Sequence, residues 1–99
     1  MTAYVISEVE ILDEEAARRY REIAASSIAA HGGRYLARGA EPAVPEGDWE
    51  AAQRVVIAEF PTMLRLTEWY ESLDYAPARA IARTALRRRL LFVPGVERP

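Results

Sequence analysis

His31-Gly32-Gly33-Arg34-Tyr35-Leu36-Ala37-Arg38-Gly39 is the stretch on which the reading of this chain turns. A helical pattern stops at its first residues and a strand pattern begins within it. Gly32 stands just past the helix end, where a left-handed backbone carries no Cβ penalty. From Gly33 to Arg38 the alternation predicts a short strand, with Arg34, Leu36 and Arg38 on one side and Tyr35 and Ala37 on the other. Gly39 then turns the chain out of it.

Upstream, Tyr20, Ile23, Ala24, Ser27, Ile28 and His31 recur every three or four residues and predict the buried stripe of a long helix. Asp13 suits its N-cap, and Glu14 and Glu15 suit the positive end of the helix dipole. His31, in the last turn, either interacts with the terminal carbonyls or serves a ligand or acid–base role. Ala3 to Leu12 reads as a strand, with Val5, Ser7, Val9 and Ile11 on one face and Tyr4, Ile6, Glu8 and Glu10 on the other. Apolar residues on both faces predict a central strand covered on both sides. Glu8 is the misfit there, either a carboxylate reaching solvent or one paired inside a cavity.

Downstream, Ala40 to Gln53 is a fourteen-residue loop carrying Pro42, Pro45 and Gly47. Loops of this length are often functional. Its Glu46-Gly47-Asp48-Trp49 turn presents an indole that must close the core, cap a pocket or pack on another subunit. Gln53 to Phe60 is the strongest strand signal, with Arg54, Val56, Ala58 and Phe60 sharing a face opposite Val55, Ile57 and Glu59. Thr62 caps a second helix whose stripe is Met63, Leu66, Tyr70 and Leu73, with Trp69 at its flank. Asp74 is the expected cap of a third helix, with Pro77 in its first turn. Arg79, Arg83 and Arg87 recur along that helix and repel one another unless solvated, paired with Glu68, Glu71 or Asp74, or bound to an anion. Arg88 to Val93 is the last strand, and the tail from Val96 is expected to be loosely held.

The order β-α-β-β-α(α)-β predicts an α+β, ferredoxin-like domain spanning residues 1–99. Its four-stranded antiparallel sheet has the first and third strands in the centre. Helices cover one face. The other face is also apolar, and the simplest cover is a second copy, giving a homodimer in which two sheets enclose a shared barrel.

Composition narrows the function classes. Eighteen of the 99 residues are Ala, so the core must be built efficiently from few large side chains. There is no Cys and only one His, which removes disulfides and thiolate metal sites and leaves no metal-ligand spacing. All 13 basic residues are Arg, and the net charge is −2. No nucleic-acid partner is expected on that balance. No apolar run is long enough to cross a membrane and no leader-like segment is visible, so a soluble cytoplasmic protein without a membrane partner is the expectation.

Tyr4-Val5-Ile6-Ser7-Glu8-Val9, the His31–Gly39 stretch, Glu46-Gly47-Asp48-Trp49, and Phe60-Pro61 followed by Trp69-Tyr70-Glu71-Ser72 and Tyr75 together resemble the bacterial "domain of unknown function 1330" family. The resemblance covers essentially the whole chain. It implies a dimeric α+β barrel, a fold shared with small monooxygenases, stress-response barrels, and muconolactone-isomerase-like and chlorite-dismutase-like proteins. It supplies no activity, since the fold hosts many chemistries. Family members often carry a second glycine after the arginine, whereas here Gly39 precedes Ala40.

The residues with chemistry to offer are Glu8, Tyr20, His31, Tyr35, Arg38, Trp49, Arg54, Trp69 and Tyr70. The expected site is a cavity between sheet and helices, roofed by the Trp49 loop. There Arg38 and Arg54 clamp a carboxylate or enolate oxygen, His31 or Glu8 moves a proton, and Trp49 and Trp69 form apolar walls. Two functions compete. One is an enzyme, of isomerase or cofactor-free oxygenase type, acting on a small acidic or phenolic metabolite. The other is a non-catalytic ligand-binding or homodimeric interaction module. No cofactor is expected, and a haem role would rest on His31 as axial ligand. His31 or Glu8 facing a closed cavity beside an arginine would favour the enzyme. Their engagement in helix capping and surface pairing would weaken it.

Overall fold

A computed structural model describes residues 1–96. The elements run β1 (Ala3–Ile11), α1 (Glu14–Ala30), β2 (Arg34–Ala40), β3 (Arg54–Phe60), α2 (Met63–Glu71), α3 (Ala76–Ala85) and β4 (Leu86–Pro94). The sheet is antiparallel throughout, in the order β2-β3-β1-β4. This is the ferredoxin-like α+β arrangement expected from the sequence, with the first and third strands central. The expected loose tail falls largely on residues 97–99, which lie outside the described residues.

The ends of α1 are set by hydrogen bonds between near neighbours. Asp13 accepts a hydrogen bond from the Ala16 amide at the start of α1. At its end, Gly32 adopts φ +80°, its amide donates to the Ala29 carbonyl, and the Gly33 amide donates to the Ile28 carbonyl. That pair of bonds is the Schellman motif, which satisfies the last helical carbonyls and reverses the chain.

One face of the sheet carries the core. Ala3, Val5, Ser7 and Val9 of β1 are buried in strict alternation, matched on β3 by Ala58 and Phe60. Trp69, Tyr75, Phe60 and Leu66 are the large, fully enclosed side chains. The Trp69 and Tyr75 ring centroids lie 4.2 Å apart. Trp69 donates from Nε1 to Ser27 Oγ at 2.9 Å, and Ser27 Oγ donates to the Ala24 carbonyl. The buried Ser27 hydroxyl inside α1 thereby both donates and accepts, which offsets its desolvation and that of the indole N–H it orients.

Several local expectations give way to geometry. Trp69 lies at the centre of the core, whereas Leu73 is 90% exposed because α2 stops at Glu71. Asp74 does not cap α3. Ser72 Oγ accepts from the Tyr75 amide instead, and Tyr75 is the N-cap residue. The last strand begins at Leu86, so Arg87 is a strand residue paired with Glu10 at 2.8 Å and not the third member of a helical arginine row. The alternation in β2 is also interrupted. Its pairing with β3 shifts register between Tyr35 and Ala37 and again between Arg38 and Ala40. Each bulge inserts a residue and turns the next side chains toward the other side of the sheet. Tyr35, opposite Ala58, and Arg38, opposite Val56, therefore share the helix-covered side, while Leu36 is 49% exposed. Gly39, at φ +77°, lies inside this strand and not in a turn beyond it.

On the opposite face no helix covers the sheet among the described residues, and only the loop around Trp49 reaches it, beside Glu8, Arg87 and Arg89. There Ile6 of β1 stands between Ile57 of β3 and Leu91 of β4, Tyr4 stands between Glu59 and Val93, and Val55 faces Glu8. Three ion pairs share this face: Glu8–Arg89 at 2.6 Å, Glu10–Arg87 at 2.8 Å and Glu59–Arg34 at 2.9 Å.

The tightest position in the junction is Gly33. An added Cβ would lie 2.7 Å from Phe60 Cε2 and 2.8 Å from Ile28 Cγ2, closer than real contacts allow. Gly33→Ala should therefore destabilise the protein by about 1–3 kcal/mol through overpacking. A lowered urea midpoint at unchanged slope is the expected result.

Candidate functional site

Between the helix-covered face of the sheet and α1 lies a cavity of about 300 Å³. The sheet supplies Val9, Ile11, Val56 and Leu86 as apolar walls, and α1 supplies Ala17 and Tyr20. Strand β2 brings Tyr35, Arg38 and Gly39, and β3 brings Arg54 from its first position. The bulges in β2 make this site. Without them Arg38 would face the other side of the sheet from Tyr35. As it is, the Arg38 guanidinium stacks 4.4 Å from the Tyr35 ring centroid.

The lining holds Arg21, Arg38 and Arg54 and no carboxylate. Arg21 is paired with Glu14 outside the cavity. Arg54 uses Nη1 to hold the end of the long loop, donating to the carbonyls of Ala51 and Gln53 at 2.8 and 2.9 Å. Arg38 has no carboxylate partner among the described residues, so its donors are available to a bound anion. Burial raises the Tyr35 hydroxyl above its ordinary range, Arg38 opposes the rise and Tyr20 adds to it. Tyr35 is thus a neutral donor at physiological pH.

Behind Tyr20 is a cluster that sequence reading did not find. Tyr20 Oη and Tyr75 Oη are 2.7 Å apart, and Arg88 reaches both, donating from Nη1 to Tyr20 at 2.6 Å and from Nη2 to Tyr75 at 3.1 Å. Arg88 looks like one of three consecutive strand arginines. Only the pairing of Val9 with Arg88 shows that it points to the helix side while Arg87 and Arg89 point away. Strand alternation could have separated it from its neighbours, but no local signal marks Tyr75 as its partner.

The other expected site residues lie elsewhere. His31 closes the end of α1, its Nδ1 donating to the Ser27 carbonyl at 2.9 Å. Glu8 is on the uncovered face, paired with Arg89. Trp49 shares a broad open depression there with Glu8, Arg87 and Arg89, across the sheet from the cavity. Trp69 is core, and Tyr70 packs edge-on against Phe92 and under Arg79. The structure therefore gathers Tyr20, Tyr35, Arg38 and Arg54, and leaves His31, Glu8, Trp49, Trp69 and Tyr70 outside that cavity. No cluster of three potential metal ligands occurs among the described residues.

The model of the family described as "Domain of unknown function (DUF1330)" matches residues 2–96, and the chain belongs to that family. No curated protein matches the sequence. Among solved structures, a protein of unknown function from Rhodopseudomonas palustris aligns at TM-score 0.78 and 18% identity, covering 98% of this chain and 84% of that one. A cofactor-independent oxygenase from Streptomyces nogalater, SnoaB, aligns at TM-score 0.69 and 9% identity over 98% and 95% of the two chains. A dimeric protein of unknown function with a ferredoxin-like fold, from Bacteroides fragilis, aligns at TM-score 0.59 and 12% identity over 95% and 96%. At these identities the likeness is one of fold. No helix among the described residues is long and apolar enough to cross a membrane.

The buried tyrosines set the alkaline limit of stability. Burial holds the Tyr75 hydroxyl well above its ordinary range, Tyr20 raises it further and Arg88 works in the opposite direction. Above pH 10.0, the ordinary value, the unfolded chain releases this proton while the folded chain keeps it. Stability is therefore intact below that pH and falls above it, by about 1.4 kcal/mol per pH unit for each tyrosine so held. Urea titrations at rising alkaline pH should show the decline, and Tyr75→Phe should make it shallower by about one such increment.

Proposed function

We propose that this member of the family is a cytoplasmic homodimer whose helix-side cavity holds a small acidic or phenolic metabolite as its anion. The lining carries the reading: apolar walls, tyrosine hydroxyls and the guanidinium groups of Arg38 and Arg54, with no carboxylate to neutralise them. The volume of about 300 Å³ suits a compact ligand with a single ring or a short branched skeleton. Nearby cations favour the ionised form of a carboxylic acid, enol or phenol. Guanidinium donors also bind a carboxylate or oxyanion with defined geometry.

The placement of His31 and Glu8 favours binding over general-base chemistry, because neither lines the cavity. A second reading, an enzyme of isomerase or cofactor-free oxygenase type, is supported by the fold likeness to SnoaB, described as a cofactor-independent oxygenase. In that reading the arginines hold a substrate that has given its own acidic proton to solvent, and neutral Tyr35 donates a hydrogen bond to the resulting anion.

Self-association is supported by the uncovered face. Six apolar or aromatic side chains, Tyr4, Ile6, Val55, Ile57, Leu91 and Val93, stand together there. A patch of this kind calls for a partner, and a two-fold arrangement would bring the same apolar patch of a second copy against it. Sedimentation should give about twice the 11.1 kDa chain mass. Ile57→Arg, which puts an unpaired charge in the middle of the patch, should give a monomer.

The cavity can be tested with para-nitrophenol, whose ionisation is read by absorbance. Bound to the protein, it should ionise at a pH about one unit lower than in water, because guanidinium groups stabilise the phenolate. Arg38→Gln should weaken phenolate binding about tenfold or more. A probe that does not bind, or that binds and ionises as in water, would remove the anion-site reading.

A further inference from the structure

We propose that Tyr20 is the group that donates a hydrogen bond to the ligand's anionic oxygen, and that Arg88 is the positioning residue that turns the Tyr20 proton into the cavity. The inference rests on the cavity being a ligand site and adds which atom reads the ligand.

It comes from counting donors and acceptors. A tyrosine hydroxyl has one proton to give and two lone pairs to receive with. Arg88, a cation with donors only, uses one lone pair on Tyr20 Oη and one on Tyr75 Oη. The 2.7 Å contact between the two hydroxyls consumes one of their two protons. One proton is left over, and the two residues are not equivalent in where they can place it. Tyr75 is 0% exposed, enclosed by Tyr20, Trp69 and Tyr70, and its hydroxyl has no acceptor other than Tyr20 among the described residues. A spare proton there would be a buried donor without a partner, which is costly. Tyr75 therefore donates to Tyr20. Both lone pairs of Tyr20 are then filled, one by Tyr75 and one by Arg88, and its own proton is the free one. Tyr20 lines the cavity beside Tyr35.

The same arrangement makes Tyr20 a better donor. Two donors, one of them a full cation at 2.6 Å, draw electron density from its oxygen, and hydrogen bonds in such a chain polarise one another. The elevated proton affinity of Tyr75 keeps that residue a donor across the neutral and mildly alkaline range. The chemistry recognised is an acceptor oxygen carrying negative charge, on a ligand whose remaining surface is apolar.

The experiment compares para-nitrophenolate with nitrobenzene, which has the same ring but lacks the phenolate oxygen. In Tyr20→Phe, nitrophenolate should bind about tenfold or more weakly, with its bound absorption band shifted to longer wavelength by loss of the donor, while nitrobenzene binds as before. Arg88→Gln, which retains Tyr20 but removes the cation that fills its lone pair, should weaken nitrophenolate selectively and shift the band in the same direction. Equal weakening of both probes in Arg88→Gln would show a merely structural Arg88 and overturn its assigned role. Unchanged nitrophenolate affinity and band position in Tyr20→Phe would overturn the inference while leaving the anion site standing. Failure of the wild-type protein to bind nitrophenolate would remove the site itself.

Discussion

A single layer of helices covers a sheet that is apolar on both faces, and most of the structure depends on that imbalance. The helix-side face is closed by the chain's own Trp69, Tyr75, Phe60 and Leu66. A chain of 99 residues has no second layer to spend on the other face. Tyr4, Ile6, Ile57 and Leu91 are left together there beside three arginine–carboxylate pairs. Those pairs are partly exposed, so they contribute little to monomer stability. Their value is in satisfying Glu8, Glu10 and Glu59 locally, so that covering the face strands no single carboxylate.

The fold was legible because each boundary has a local chemical cause. Asp13, Gly32 and Thr62 each set a helix end where the sequence places it, through hydrogen bonds that depend only on near neighbours. The failures are equally local. Asp74 is a good cap by residue type, but Ser72 Oγ already holds the Tyr75 amide. Leu73 fits a helical stripe that continues past Glu71, and the helix does not continue. Arg87 fits an every-fourth pattern that the early start of β4 interrupts.

The cavity was only half legible, and the reason is the pair of bulges in β2. Simple alternation assigns Tyr35 and Arg38 to opposite faces, and one inserted residue reverses that. Residue chemistry identified Tyr20, Tyr35, Arg38 and Arg54 as candidates, and the bulges bring them to one place. The same chemistry nominated His31 and Glu8, whose hydrogen-bonding capacity is taken up by a helix end and by Arg89. A titratable side chain is a candidate only until its nearest partner is known. That partner was one turn of helix away for His31 and one strand away for Glu8.

Arg88 shows how much a buried charge can organise. It has no carboxylate partner among the described residues, and its compensation comes from two phenol oxygens. Phenols leave the positive charge standing where a carboxylate would have cancelled it. Arg38 and Arg54, which line the space between β1, β2, β3 and α1, are likewise unneutralised by any lining carboxylate, Arg54 half-buried and Arg38 exposed at its mouth. The field of these groups is screened at the exposed Arg38 and less so at the more enclosed Arg54 and Arg88. It stabilises a negative ligand and penalises a positive one, and it lowers the energy of any enolate or phenolate formed there. The same field works against a histidine as proton acceptor, because the imidazolium would have to form among like charges. A cavity of this kind therefore acts on ligands that supply their own acidity, and the absence of a carboxylate or imidazole from its lining is consistent with its electrostatics.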